Sequence, residues 1–159
     1  MTLDIFEYFT QLDQERYRAV IIHAAPEKGP AVTKFFQKVC ARAGGKYIDL
    51  LDLFIQNQEL SERIDRFSPE KLRALLIEHS KGNNLLFLDR ADFLLDTWGK
   101  RERQEFFRLI EIQWDGYKDG MRTKLIISLQ TSQEIESLKI VDSQGEPRVL
   151  QLSDFNDIA

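Results

Sequence analysis

Asn84-Leu85-Leu86-Phe87-Leu88-Asp89 sets four consecutive apolar residues between an asparagine and a carboxylate. A strand with one wet face would alternate, so an unbroken apolar run closed by turn residues predicts a strand covered on both sides. Two other stretches share the pattern: Arg18-Ala19-Val20-Ile21-Ile22-His23-Ala24 and Lys124-Leu125-Ile126-Ile127-Ser128-Leu129. These three are expected at the centre of a sheet, with Lys46 to Leu50 as a shorter strand and the alternating Arg148 to Leu152 as a terminal one.

Helical patterns fill the intervals. Ile5, Phe6, Phe9 and Leu12 share one face of a short N-terminal helix over 3–12. Pro30 suits the first turn of a helix whose inner face carries Val32, Phe35, Phe36, Val39, Cys40 and Ala43 and which stops at Gly44-Gly45. The mixed stretch up to Phe67 reads as helical without definite bounds. Ser68-Pro69-Glu70 combines a cap, a first-turn proline and an acid at the positive end of the helix dipole; Leu72, Leu75, Leu76 and His79 follow as an inner face. An amphipathic region from Ala91 to Trp114 breaks at Gly99, a polar turn covers 115–122, and Ser132 to Leu138 is a short helix. Strands alternating with crossover helices predict an α/β three-layer sandwich: a parallel central sheet of about five strands with helices on both faces.

With 159 residues, 43% hydrophobic and 30% charged, the chain fills one core, and a single domain over 1–159 is expected. The net charge of -4, from 26 acidic and 22 basic residues, disfavours non-specific nucleic-acid binding. Cys40 is the only cysteine and His23 and His79 the only histidines, so neither a disulfide framework nor structural zinc can be assembled. His23 reads as a hydrogen-bonded core histidine and Cys40 as a small core residue. The acidic start, Met1-Thr2-Leu3-Asp4, does not resemble a signal peptide, and no apolar run nears the roughly 18 residues of a membrane span, so a soluble cytoplasmic protein is expected. Lys100, Arg101, Arg103, Arg108, Lys118, Arg122 and Lys124 make the segment after Gly99 basic, but Glu102, Glu105, Glu111, Asp115 and Asp119 interrupt it, as on a solvated face. Trp98, just before the glycine break, is the better candidate of the two tryptophans for partial exposure at an interaction surface; its alternative is to close the core over Leu94 and Leu95.

In such sheets ligands collect at the carboxyl ends of the central strands, here Ala24 to Pro30, Asp89 to Asp92 and Leu129 to Ser132. The layout from about Arg18 to Leu152 resembles the P-loop ATPase core, in particular its AAA-like branch. Among small proteins of this plan it is most similar to the BrxF family, the compact P-loop component of the BREX phage-defence systems. The stretches that carry the likeness are Val20 to Ala24, Leu85 to Leu95 as a Walker B region, and Lys124 to Leu129.

The resemblance implies that Asp89 would hold magnesium through water, with Asp92 as the candidate base because Arg90 stands where an activating glutamate is common. It places Gln130 and Thr131 where a polar phosphate-sensing residue belongs. The bland alternatives are that Asp89 caps the following helix and pairs with Arg90, and that Ser132 caps Gln133-Glu134-Ile135. The phosphate loop departs from the family. A working loop, G-x-x-x-x-G-K-[ST], wraps phosphate in backbone N–H groups and adds a lysine and a hydroxyl. Here Ala24 replaces the first glycine, Gly29 keeps the second, and Pro30 and Ala31 replace the lysine and the hydroxyl. Pro26 and Pro30 each delete a donor, and Glu27 brings a negative charge. Lys28 could swing in as a substitute cation, whereas Thr33 lies two positions too far, on a different helix azimuth. The missing charge-assisted bonds, at roughly 1.5 to 3 kcal/mol each, remove several kcal/mol of binding.

The expected function is accordingly a P-loop-like domain with no required cofactor, non-catalytic or weakly nucleotide-binding, that joins the protein subunits of a larger defence assembly and could also self-associate. Its rivals are an ATPase in which ATP and magnesium are held unconventionally by Lys28, Asp89 and Asp92, and an adaptor of another DNA-processing or mobile-element ATPase system.

Overall fold

The computed structural model describes residues 2–118 and 122–158, so positions 119–121 of the expected polar turn, Asp119 among them, lie outside the described residues. Strand β1 (Ala19–Ala24) is preceded by helix α1 (Ile5–Leu12) and followed by a single 3-10 turn (Pro26–Lys28) and α2 (Gly29–Ala43). Then come β2 (Lys46–Asp49), α3 (Leu50–Gln56), α4 (Gln58–Glu62), α5 (Pro69–Ser80) and β3 (Leu85–Asp89). The second half holds α6 (Asp92–Thr97), α7 (Lys100–Arg108) running into a π-helical turn (Leu109–Gln113), β4 (Lys124–Gln130), α8 (Gln133–Glu136) and β5 (Val149–Gln151).

All five strands are parallel, in the order β2-β3-β4-β1-β5. The three unbroken apolar runs are therefore the three interior strands, as a strand with no polar face to show to water must be. Alternation along them splits the core in two. Val20, Ile22, Leu85, Phe87 and Ile126 face α1 and α2, meeting Phe9, Phe35, Phe36 and Val39. Ile21, Leu86, Leu88, Leu125 and Ile127 face the opposite layer, meeting Phe54, Leu72, Leu76, Phe106 and Ile110. The three-layer sandwich follows directly.

Local signals hold closely. Ser68 Oγ accepts from the Lys71 N–H and Ser132 Oγ from the Ile135 N–H, and Gly99 separates α6 from α7. Other expectations shift. The first helix begins at Ile5, not Leu3, because the Asp4 carboxylate caps it through the N–H groups of Phe6 and Glu7, while Leu3 bridges to Phe155. Cys40 is half-buried and Ala43 exposed, since the buried stripe of α2 ends at Val39; on α5 the stripe runs Leu72, Leu76, Ser80 and leaves His79 half-buried.

For Trp98 the structure decides between the two expectations in favour of the core over Leu94 and Leu95. It is 6% exposed, donates from Nε1 to the Phe67 carbonyl at 2.6 Å and packs against the Phe106 ring at 5.5 Å. The chain turns at Gly99 so that α7 folds back over the indole, and Trp98 is core, not an interaction surface.

Gly45 shows how tightly the sheet is joined to α2. Its φ of +105° suits glycine, and a Cβ there would lie 2.6 Å from the Leu85 carbonyl oxygen. Gly45→Ala is expected to destabilise the protein by about 1–3 kcal/mol, read as a lower denaturant midpoint; an unchanged midpoint would show that the β2–β3 approach relaxes freely.

Candidate functional site

The carboxyl ends of β1, β3 and β4 open into a cleft of about 850 Å³. Its walls include Gly29, Pro30 and Thr33 from α2, Asp89 at the end of β3, Asp92 and Asp96 from α6, and Gln130 at the end of β4. Gly29, Asp89, Asp92 and Gln130 are thus brought together as the sequence predicts. Lys28 is not: it lines a second cleft of about 750 Å³ with His23, Glu136 and Gln151, on the β5 side of β1. Thr131 lines that cleft too, and also a smaller one of about 480 Å³ with Asp92, Asp96 and Gln130. Thr131 donates its N–H to the Ala24 carbonyl at 2.8 Å and meets His23 Nδ1 through its hydroxyl at 2.8 Å, which turns it away from Asp89.

Asp89 is 2% exposed and surrounded by donors. Its Oδ1 accepts from Ser128 Oγ at 2.6 Å and from the Arg90 N–H at 3.0 Å; its Oδ2 accepts from Thr33 Oγ1 and from the Tyr47 hydroxyl, both at 2.6 Å. Register explains the convergence. Tyr47 pairs with Phe87, two residues before Asp89 on the same face, and Ser128 follows Ile127, which pairs with Leu88. The α2 layer covers that face, and Thr33 enters from it. Thr33 and position 31 do lie on different azimuths of α2, but Thr33 is not out of reach: the single 3-10 turn places α2 so that this hydroxyl, not position 31, meets the strand-end carboxylate. Tyr47 was not distinguishable in the sequence, because its role depends on a diagonal contact between two strands. Burial and the neighbouring Asp89 raise its phenol pKa, so it remains a donor.

Arg90 and Asp92 are each committed elsewhere. Arg90 has φ +57° and directs its guanidinium to Asp49 at the end of β2, with Nε 2.8 Å from Oδ2, so it does not pair with Asp89. Asp89 does not cap α6 either, since Ala91 stands at the cap position without a side-chain bond. Asp92 Oδ1 accepts from the Gln130 N–H at 2.8 Å, which ties α6 to the end of β4. Burial raises the Asp92 pKa, with the Gln130 bond opposing.

Magnesium with ATP does not fit these residues. The four lone-pair positions of the Asp89 carboxylate are all taken by protein donors. The 3-10 turn carries Pro26, Pro30 stands in the first turn of α2, and Asp49, Asp89, Asp92 and Asp96 outnumber Lys34 and Arg90 around the cleft. Among the described residues no cluster of three or more His, Cys, Asp or Glu side chains is able to hold a metal ion, and no helix is long and apolar enough to cross a membrane.

No protein-family model, curated protein or solved structure matches the chain.

The two histidines give the acid response of the fold. Burial lowers the His23 pKa below its ordinary 6.5; burial and then Lys46, whose Nζ lies 2.8 Å from His79 Nδ1, lower that of His79. A depressed histidine binds fewer protons folded than unfolded, so its contribution is complete above 6.5 and is lost as pH falls through the folded value. The raised Asp92 acts in the opposite sense, since its protonation favours the folded state. Denaturation midpoints are expected to fall from about pH 7 to about pH 5, less steeply in His79→Gln. A flat profile for the wild type would contradict this.

Proposed function

We propose that the chain is a P-loop-like domain of AAA-like plan whose nucleotide site is closed by its own side chains, serving as a non-catalytic or weakly nucleotide-binding subunit of a bacterial phage-defence assembly of BREX type. The observation that carries the first half is the saturated Asp89 carboxylate beside a loop that has lost its lysine and two backbone donors. The layout supports it by fold-level analogy: the Asp89 strand is separated from the phosphate-loop strand by β4 alone, and the loop leads straight into a helix on the sheet. The second half rests on the sequence likeness of Val20 to Ala24, Leu85 to Leu95 and Lys124 to Leu129 to the BrxF family.

One contact favours the rival ATPase: Thr33 Oγ1 on Asp89 is the hydroxyl–carboxylate pair that magnesium sites of P-loop enzymes use. Against it, Lys28 lines the other cleft and Asp92 is bonded to Gln130. Calorimetric titration with ATP and magnesium separates them. No saturable binding at micromolar concentration is expected, and Lys28→Ala should change nothing; tight binding that Lys28→Ala abolishes would overturn the closed-site reading and favour the ATPase. Co-purification with the other BREX subunits tests the assembly, and recovery of the chain alone would remove that half.

A further inference from the structure

We propose that Tyr47 is a built-in plug of the Asp89 site: its phenol oxygen holds the place on Asp89 Oδ2 that a divalent cation or its bound water would need, and removing that one oxygen opens a cation site. The inference rests on reading Asp89 as the strand-end carboxylate of a P-loop-like domain and names the residue that keeps it closed.

Three hydroxyls and one backbone N–H occupy the carboxylate, and they are not equivalent. The Arg90 N–H is fixed by the chain. Thr33 and Ser128 project from α2 and from the interior strand β4, and each aliphatic hydroxyl can donate to Asp89 while offering a lone pair to a hard cation. Tyr47 comes from β2, an edge strand of the sheet. Its hydroxyl and that of Thr33 both donate to Asp89 Oδ2, at 2.6 Å each, so the phenol oxygen sits on the same carboxylate oxygen beside the hydroxyl that would share an ion. The Asp49–Arg90 ion pair, two residues along the same strand, fastens β2 to the end of β3 and holds the ring there.

Electrostatics gives the opening its direction. Asp89 is buried and its contacts are neutral donors, because the adjacent guanidinium is engaged by Asp49. Tyr47→Phe keeps the ring and removes the donor, which leaves a buried carboxylate short of one hydrogen bond beside a void of one oxygen. An unpaired buried charge is costly, and cation uptake relieves it.

The test uses the full-length chain and Mn²⁺ as the probe, followed by the loss of the free-ion signal in electron paramagnetic resonance and by thermal shift. Wild type is expected to leave the Mn²⁺ signal unchanged up to millimolar concentration. Tyr47→Phe should bind one Mn²⁺ per chain in the same range, release it to excess Mg²⁺ and melt higher with the ion than without. Tyr47→Leu, which also lacks the oxygen, is expected to bind as well, so that a folding defect in either variant does not decide the matter. Asp89→Asn added to Tyr47→Phe should abolish the gain. Binding by both Tyr47 variants no stronger than wild type would overturn the plug while leaving the closed-site reading intact; saturable Mg²⁺·ATP binding by wild type would overturn the closed-site reading itself.

Discussion

Arg148→Ala is expected to cost about 3–5 kcal/mol, a large part of the roughly 5–15 kcal/mol that holds a domain folded. Arg148 is 2% exposed, and its guanidinium is bound by carbonyls from three separate parts of the chain. Nη1 donates to Ala19 at 2.9 Å and to Ile110 at 3.0 Å, Nη2 to Glu111 at 2.8 Å, and Nε to Val141 at 3.0 Å. Two of these acceptors belong to the π-helical turn Leu109–Gln113, whose wider winding leaves carbonyls in need of partners. Removing the side chain leaves buried acceptors unpaired and a void under β5, where each unsatisfied group costs about 1–3 kcal/mol. Burial lowers the guanidinium pKa; an arginine nonetheless keeps its charge in a folded protein. Arg148→Lys should recover little, because a single ammonium cannot span a fork of four acceptors. Urea denaturation measures the effect; a loss below about 1 kcal/mol for Arg148→Ala would mean that water replaces the guanidinium at no great cost.

Trp98→Ala should destabilise the protein by a similar amount, about 3–5 kcal/mol, the range for truncating a core aromatic. The indole follows α6 and packs on Phe106 of α7, and its N–H satisfies the Phe67 carbonyl ahead of α5 at 2.6 Å. Trp98→Phe separates the two contributions: it keeps most of the apolar area and strands the carbonyl, so a loss of about 1–3 kcal/mol is expected. Association with any partner should be unaffected at temperatures where Trp98→Phe remains folded. A variant that keeps its melting temperature but loses association would restore the surface role that the 6% exposure rules against.

Much of the fold is legible without coordinates, for a local reason. The strands of Val20, Phe87 and Ile126 announce themselves because side-chain direction alternates along any strand, and a run with no polar residue has no face for water. Ser68, Ser132 and Gly99 act within a few residues of themselves, through cap bonds and backbone freedom. Trp98 fails the same test because its exposure depends on how α7 returns after Gly99, and an amphipathic pattern does not encode that angle.

The candidate site divides along the same line. Sequence alone determined that a carboxylate closes a buried strand at Asp89, and that Pro26 and Pro30 lack a backbone donor and Ala31 a hydroxyl, since a missing N–H or hydroxyl is missing in any conformation. Tertiary structure alone decided what Asp89 touches. Residues 33, 47 and 128 are spread along the chain and meet only because strand register and helix docking place three hydroxyls around one buried charge, which must be satisfied wherever the donors come from. The same docking sent Lys28 to the other side of β1, since neighbours at a loop can face opposite clefts once the strand between them is fixed.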